Sequence, residues 1–388
     1  MSGVPLRYAA RILAGQSPDS GAVELLDRGL PFLQGNAEFG AQHPTARWES
    51  ASAPKVAEAG DVLVSVRAPV GAVNLADQRY GIGRGLCAIR PHTGPSRYFY
   101  WWLVSSAEEL NSVATGSTFA AVSASDLAAL LVPVADETQQ AQIADYLDRE
   151  TAEIDAFIAD QEELIGLLTE RRASTIESAF DSAPQLRRLR SILAAAVTGP
   201  FGTQLSADEY VVGGVPVINP IHIKNGRVVA DPDVTVSSPK AASLARFAFK
   251  EGDIALGRKG EVDKSALIDG DSAGAICGSD SMMIRPDPHT NPRYLWWFFQ
   301  SSGAHGQLTR WAVGSTVVGL NQNAITQLRV PYGDKKYQAC CVSVLDERVR
   351  ELDAAIADAR EAIALSKERR AALISAAVTG KIDVRGAV

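Results

Sequence analysis

The chain is written twice, and this limits its fold more than any other feature. The segment GSTFAAVSASDLAALLVPV, beginning Gly116-Ser117-Thr118, recurs as GSTVVGLNQNAITQLRVPY from Gly314-Ser315-Thr316, 198 positions later. That offset holds without a gap through Pro133 and Pro331, Leu147 and Leu345, Asp155 and Asp353, the Glu-Arg-Arg at 170–172 and 368–370, and Ile176 and Ile374. Upstream, weaker matches keep the same order. Gly60-Asp61 matches Gly252-Asp253 at 192, Ile89-Arg90-Pro91 matches Ile284-Arg285-Pro286 at 195, and Arg97-Tyr98 matches Arg293-Tyr294 at 196. Gly29-Leu30-Pro31 matches Gly214-Val215-Pro216 at 185, so the second copy carries a net 13 extra residues. Two long units exclude a solenoid, which stacks many short repeats. For 388 residues, this fits two to three domains or one duplicated module.

Each copy has two textures. The first ~130 residues hold short β-branched runs bounded by Gly and Pro, which read as strands and turns. Examples are Val62-Leu63-Val64-Ser65-Val66, Val215-Pro216-Val217-Ile218 and Val228-Val229. The aromatic runs 97–103 and 293–299 read as short buried helices. The last part of each copy reads as one long helix. Its apolar seam is Ile143, Leu147, Ile154, Phe157, Ile158, Leu164, Ile165 and Leu168 in the first copy. In the second it is Cys341, Leu345, Leu352, Ala355, Ile356, Ala362, Ile363 and Ser366. Heptad-like spacing gives each helix a single stripe, which two helices bury most economically against each other. The expected fold class is α+β: two mixed α/β domains separated by two long antiparallel, coiled-coil-like helices, with a pseudo-twofold internal repeat. The expected boundaries are a first domain at 1–135, a first long helix at 136–183, a second domain at 184–333 and a second long helix at 334–388.

Composition excludes several classes. Hydrophobic residues are 46% and charged residues 21%, enough for an ordinary core without disulfide staples. Cys87, Cys277, Cys340 and Cys341 form no CxxC pair, which fits a reducing cytoplasm and argues against a zinc knuckle. No apolar run reaches the ~18 residues of a membrane span. The start, MSGVPLRYAARILAG, lacks the basic and apolar regions of a signal peptide. The net charge of −7 is local: residues 136–183 hold 13 acidic and 3 basic groups, and the remainder sums to +3. Acidity in one segment therefore does not exclude nucleic acid as a partner.

Catalytic motifs are missing. An adenine methyltransferase needs an (N/D)PP(Y/F) loop. Asn219-Pro220-Ile221-His222 and Asn291-Pro292-Arg293-Tyr294 both lack the second proline. Gly81-Ile82-Gly83-Arg84-Gly85 lacks GxGxxG spacing and reads as turn or bulge glycines. No P-loop occurs. Glu261-Val262-Asp263-Lys264 after Asp253 imitates a metal nuclease, but Lys264 is one residue too far, so a charged loop is the expectation. His43, His92, His222, His289 and His305 are scattered, with no HExxH, so no metal site is expected.

Five motifs, in order and repeated, resemble the specificity (S) subunits of type I restriction–modification systems. The tail 368–385 (ERRAALISAAVTGKIDVR) is similar to that family's C-terminal signature. Gln142-Ile143-Ala144-Asp145-Tyr146-Leu147-Asp148 with Glu153-Ile154-Asp155 resembles its central helix. Thr198-Gly199-Pro200-Phe201-Gly202-Thr203-Gln204-Leu205 resembles the opening of a target recognition domain, and Gly214-Val215-Pro216-Val217-Ile218 its next strand. Gly60-Asp61-Val62-Leu63-Val64-Ser65 resembles its Gly-Asp strand. The resemblance implies a non-catalytic subunit in which each target recognition domain reads one half of a bipartite, asymmetric double-stranded DNA site. It implies that the helices set the spacing and dock two methyltransferase subunits, with restriction/translocase subunits joining to cut DNA. S-adenosylmethionine, ATP and Mg are then expected on partner subunits and no cofactor on this chain. The chain departs from the family pattern at Cys341, Ala355 and Ser366 on the second seam and in the acidity of the first helix.

If the chain reads DNA, Arg and Lys would contact phosphate or guanine, and Asn and Gln adenine. The candidates are Gln34, Asn36, Arg47, Lys55, Arg67, Arg84 and Thr118 in the first copy. In the second they are Gln204, Asn219, His222, Lys224, Arg227, Arg258, Lys259, Lys264 and Thr316. A solvated surface group is the ordinary alternative for each. The threonines lie in the repeated Gly-Ser-Thr turns, and the aromatic runs could stack on bases or fill the core. The expected partner-binding helix residues are Ile143, Leu147, Ile154, Ile158, Ile165, Leu345, Leu352, Ile356 and Ile363. The acidic groups of the first helix form either a solvated face or a surface that meets a basic partner. A coiled-coil scaffold that binds proteins is the rival reading, and a small metal nuclease a third. Salt-dependent DNA affinity separates the first reading from the scaffold. If the helices are a ruler, four residues inserted after Leu147 lengthen the spacer by roughly 6 Å. That is about one to two base pairs. The methylated motif should gain that gap and keep both half-sites. A changed half-site with an unchanged gap would exclude the ruler.

Overall fold

A computed structural model describes residues 3–19, 21–114, 121–262, 264–311 and 319–384. The chain is α+β and forms two compact units. The first comprises Met1–Glu162 and Glu361–Val388, the second Glu163–Arg360. Each unit thus takes part of both long helices, which run Glu137–Ser178 and Lys335–Val378.

In the first unit a four-stranded antiparallel sheet has the order Ala10–Ala14, Leu86–Pro91, Val62–Ser65, Val73–Leu75. Val62-Leu63-Val64-Ser65 is buried throughout, because both faces of this strand are covered. Val62 and Val64 face a core shared with the aromatic helix Ser96–Ser105 and the long helices. Leu63 faces a separate core under a second sheet. The alternation is the period of two inherent in a strand. The second sheet has five short strands, and within it Pro31–Leu33 and Tyr80–Ile82 run parallel.

The second unit repeats this plan. Its four-stranded sheet has the order Leu193–Thr198, Ser281–Pro286, Ile254–Gly257, Ser265–Leu267. Val215–Ile218 pairs in parallel with Ile276–Cys277. Ile254 and Leu256 face the helical core, and Ala255 the opposite one. The extra residues include a hairpin, Ile223–Lys224 with Arg227–Val228, turned by Asn225 and Gly226 at positive φ. Val229 lies just beyond that strand, since the hairpin register ends at the Ile223–Val228 pair.

The aromatic runs are helices, Ser96–Ser105 and Pro292–Phe299. Tyr98 to Leu103 are all buried, as are Tyr294, Leu295, Trp297, Phe298 and Phe299. These rings fill the core and are not offered to bases. Each aromatic helix is also tied to a long helix by polar bonds. Arg97 pairs with Asp145 at 2.6 Å and with Asp148, while the Trp101 indole N–H donates to Asp148 at 2.7 Å. In the second unit Arg293 pairs with Asp346 at 2.6 Å and the Trp297 indole donates to it at 2.8 Å.

Within each unit the segments of the long helices run antiparallel. Asp136 and Asp334 start the helices by accepting the amides of Gln139 and Tyr337, both at 2.8 Å. In the first unit Ile143, Ala144 and Leu147 share a core with Ile374, Ala377 and Val378, and Asp155 pairs with Arg370 at 2.8 Å. In the second unit Ile176 and Phe180 share a core with Cys341, Leu345 and Val349, and Arg172 pairs with Asp353 at 2.7 Å. The seam reading needs a correction. Phe157 and Leu164 are exposed, whereas Thr151 is buried and donates its hydroxyl to the Leu147 carbonyl. The buried row follows 143, 147, 151, 154 and 158, the face set by 3.6 residues per turn.

Each unit buries one aspartate beneath its four-stranded sheet. Asp61 is held by Arg90 through two bonds of 2.7 Å, and Asp253 by Arg285 at 2.8 and 2.6 Å. These bonds raise both arginines above the usual guanidinium range. The carboxylates also accept local amides, Glu58 and Lys250. Asp253→Ala leaves Arg285 facing a vacant site, and should destabilise the second unit by about 3 kcal/mol. Hydrogen exchange at the 254–257 amides measures this; a change under about 1 kcal/mol would show the pair to be dispensable.

Candidate nucleic-acid interface

Three loops meet at one edge of each unit. In the first unit they follow strand Pro31–Leu33, follow strand Tyr80–Ile82, and follow strand Val62–Ser65. Backbone bonds pin them together. Gly83 donates to Leu33 at 2.8 Å, Gly85 to Gln34 at 3.2 Å, and Val66 to Gly85 at 2.9 Å. Glycine is required at 83 and 85, since a Cβ would lie 2.5 Å from the Gln34 side chain and 2.6 Å from its carbonyl. The loops enclose a concavity of about 340 Å³ lined by Gln34, Asn36, Glu38, Arg67 and Arg84. Four candidates from distant parts of the sequence are thus brought together. Arg67 and Arg84 are exposed, and Gln34 is fixed by donating its amide to Ser17 Oγ at 2.9 Å.

The second unit builds the same junction from different side chains. Gly278 donates to Ile218 at 2.9 Å, and Arg258 to Asp280 at 2.8 Å. Asn219 stands where the first repeat has Gln34, and Lys259 where it has Arg67. Two backbone bridges support that equivalence, Arg67 with Ala121 and Lys259 with Gly319. Asn219 Oδ1 accepts the Asp280 amide at 3.3 Å, so this amide serves the junction itself. Lys259 is half-exposed and lies 3.6 Å from Asp280. Ile221, two-thirds exposed, occupies the place of Asn36.

Other candidates lie elsewhere. Arg47 is exposed beside Trp48–Glu49 of the five-stranded sheet, and Lys55 precedes the strand Val56–Ala57. Gln204 is exposed at the end of a short 3₁₀ turn. Lys224 and Arg227 are exposed on the hairpin, whose Gly226 packs against Trp296. Arg227 borders a cleft of about 1210 Å³ with Arg350 and Arg360. Lys264 pairs with Glu261 at 2.7 Å, and Asp253 is held by Arg285. Among the described residues no group of three acidic, His or Cys side chains could hold a metal. Asp263, Thr118 and Thr316, with the Gly-Ser-Thr turns, lie outside the described residues.

Two expectations change. His222 is buried, and its Nδ1 accepts the Asn219 amide at 3.1 Å. Burial lowers its pKa and keeps it neutral, so it stabilises a turn rather than facing a ligand. The helix residues expected to bind a partner are largely used inside the chain. Ile143, Leu147, Ile154, Ile158, Leu345 and Ile356 are buried, and Ile165, Leu352 and Ile363 partly so. Phe157, Leu164, Leu167, Val344 and Leu365 are the exposed apolar groups of these helices.

Sequence reading missed Glu38 and Asp280. Glu38 lies two positions from Asn36 and Asp280 far from any chosen residue in sequence, and only the fold brings them to the junction. It also missed Asp148 and Asp346 as anchors, although both repeat at the same offset as the leucines beside them.

A family model for the type I restriction modification DNA specificity domain matches residues 49–164. Over 139 residues the chain is 35% identical to the type I restriction enzyme MjaX specificity subunit of Methanocaldococcus jannaschii, covering 35% of this chain and 33% of that protein. The chain thus spans about a third of the length of this curated relative. The fold is similar to a solved structure described under complex assembly and conformational transition of the type I R-M system. There the TM-score is 0.74 and the identity 17%, over 98% of this chain and 97% of that one. It is also similar to the HsdS subunit of Thermoanaerobacter tengcongensis, with TM-score 0.54 and 14% identity, over 98% and 96% of the two chains.

If the junctions meet DNA phosphates, Arg67→Ala and Lys259→Ala each weaken binding at all sequences. Each should reduce the slope of log affinity against log salt by about 1. Lys264→Ala, whose ammonium lies 2.7 Å from Glu261 against 3.6 Å between Lys259 and Asp280, should change the slope little. Equal slopes for all three in a fluorescence titration would remove the junctions from the interface.

Proposed function

We propose that this chain, whose residues 49–164 match the type I restriction modification DNA specificity domain, is the DNA sequence-specificity subunit of a type I restriction–modification complex. Each unit reads one half of a bipartite, asymmetric site. The observation that carries this reading is the three-loop junction, built twice on one backbone plan and furnished with different side chains. Gln34, Asn36, Arg67 and Arg84 occupy the first, and Asn219, Ile221 and Lys259 the second. Two such surfaces would recognise two unlike sequences.

Within this reading the chain carries no chemistry of its own. Two methyltransferase subunits would bring S-adenosylmethionine and methylate adenine at N6. Restriction/translocase subunits would bring ATP and Mg. The exposed apolar groups of the helices, Phe157 and Leu365 in the first unit and Leu164 in the second, would be open to docking. No helix among the described residues is long and apolar enough to cross a membrane.

The test is a methylome. The chain is expressed with its neighbouring methyltransferase subunit in a host free of DNA methylation, and N6-methyladenine is mapped. A split motif that disappears without this chain is the expected result. A soluble complex that methylates nothing would overturn the reading and favour a scaffold.

A further inference from the structure

The concavity of the first unit holds hydrogen-bonding groups that its own fold does not pair. Glu38 ends the 3₁₀ turn Asn36–Glu38, and its carbonyl accepts the Thr45 amide at 2.8 Å. Its carboxylate Oε2 is shielded from solvent and has no hydrogen-bond partner. Such an acceptor is costly unless a donor arrives. Arg84 is exposed on a loop pinned by the backbone bonds of Gly83 and Gly85. Among the described residues neither Arg84 nor Arg67 forms an ion pair, with Glu38 or with any other acid. Glu38, with one carboxylate oxygen unpaired, and the unpaired Arg67 and Arg84 thus line one hollow.

The major-groove edge of a G·C pair has the opposite arrangement. Guanine offers two acceptors, N7 and O6, and cytosine one donor, the N4 amino group. Adenine would set its N6 donor against a guanidinium where guanine sets O6. Of the two amides lining the hollow, Gln34 donates to Ser17 Oγ. Resting on the DNA-reading role above, we infer that the first unit reads a G·C base pair. Arg84 donates to the guanine and Glu38 accepts from the cytosine. The second unit has Ser279 between Gly278 and Asp280, where the first has Arg84 between Gly83 and Gly85, so the preference belongs to one half-site only.

The test uses the complex of this chain with its methyltransferase subunit. The wild-type methylated motif should contain a G·C pair whose selection is relaxed in both Arg84→Ala and Glu38→Ala. Discrimination at that pair should fall by about 5- to 150-fold, with the other half-site and the spacer unchanged. A second measurement leaves the protein intact. A duplex with 7-deazaguanine at that position lacks the N7 acceptor, so it should bind the wild-type complex more weakly. It should bind the Arg84→Ala complex as well as ordinary DNA does. A motif in which neither variant relaxes a G·C pair, or a relaxed pair that is A·T, overturns this inference and leaves the specificity role standing. No motif from the wild-type complex overturns both.

Discussion

Each unit depends on a carboxylate that a long helix presents to an aromatic helix. Asp148 receives Arg97 and the Trp101 indole, and Asp346 receives Arg293 and the Trp297 indole. The aromatic helix is apolar nearly all round, so packing alone would let it rotate or slide on the sheet. Polar bonds are directional, and an indole N–H and a guanidinium aimed at one carboxylate select one rotation and one height. The sheet follows the aromatic helix, and the loop junction follows the sheet. A pair of half-exposed charges adds little stability. Its value here is positional, because loops that recognise a ligand must be held to a fraction of an ångström.

The same logic explains why the two units agree in framework and differ in surface. The buried Asp61–Arg90 and Asp253–Arg285 pairs, the parallel strand pair and the close contact of Gly83 and Gly278 recur. A change in any of these exposes an unpaired charge or forces a backbone collision. The side chains at the junction rim face solvent and carry no such penalty. Divergence concentrates there because the fold leaves it free.

Much of this was legible in the sequence. The duplication, the strand Val62–Ser65, the aromatic helices and the long helices all followed from repeats and periodicity. What could not be read was pairing across distance. Gly60-Asp61 and Ile89-Arg90-Pro91 were visible as repeated motifs, yet their salt bridge arises only when strands 62–65 and 86–91 lie antiparallel. His222 and Asn219 looked like polar loop residues, and a short 3₁₀ turn folded the first inward and engaged the second. The seam was misjudged at Phe157 and Leu164 because an apolar side chain beside the stripe has the same letter code as one within it. Thr151 shows the converse, since a hydroxyl can be buried once the preceding turn accepts its proton. The junction itself joins loops from three strands, which no local pattern announces.

The two ion pairs between the long helices carry a further meaning. Asp155 pairs with Arg370 and Arg172 with Asp353, and under the internal repeat Asp155 corresponds to Asp353 and Arg172 to Arg370. A single repeat therefore contains both the acid and the base of the contact. Its helix is self-complementary, the property that lets identical surfaces meet about a twofold axis. Joining two copies in one chain makes that encounter intramolecular and independent of concentration. It also releases the copies from identity. Two separate identical chains can present only one set of loops, twice. The fused chain keeps the acid and the base of each repeat in its helices and changes the side chains of its loops.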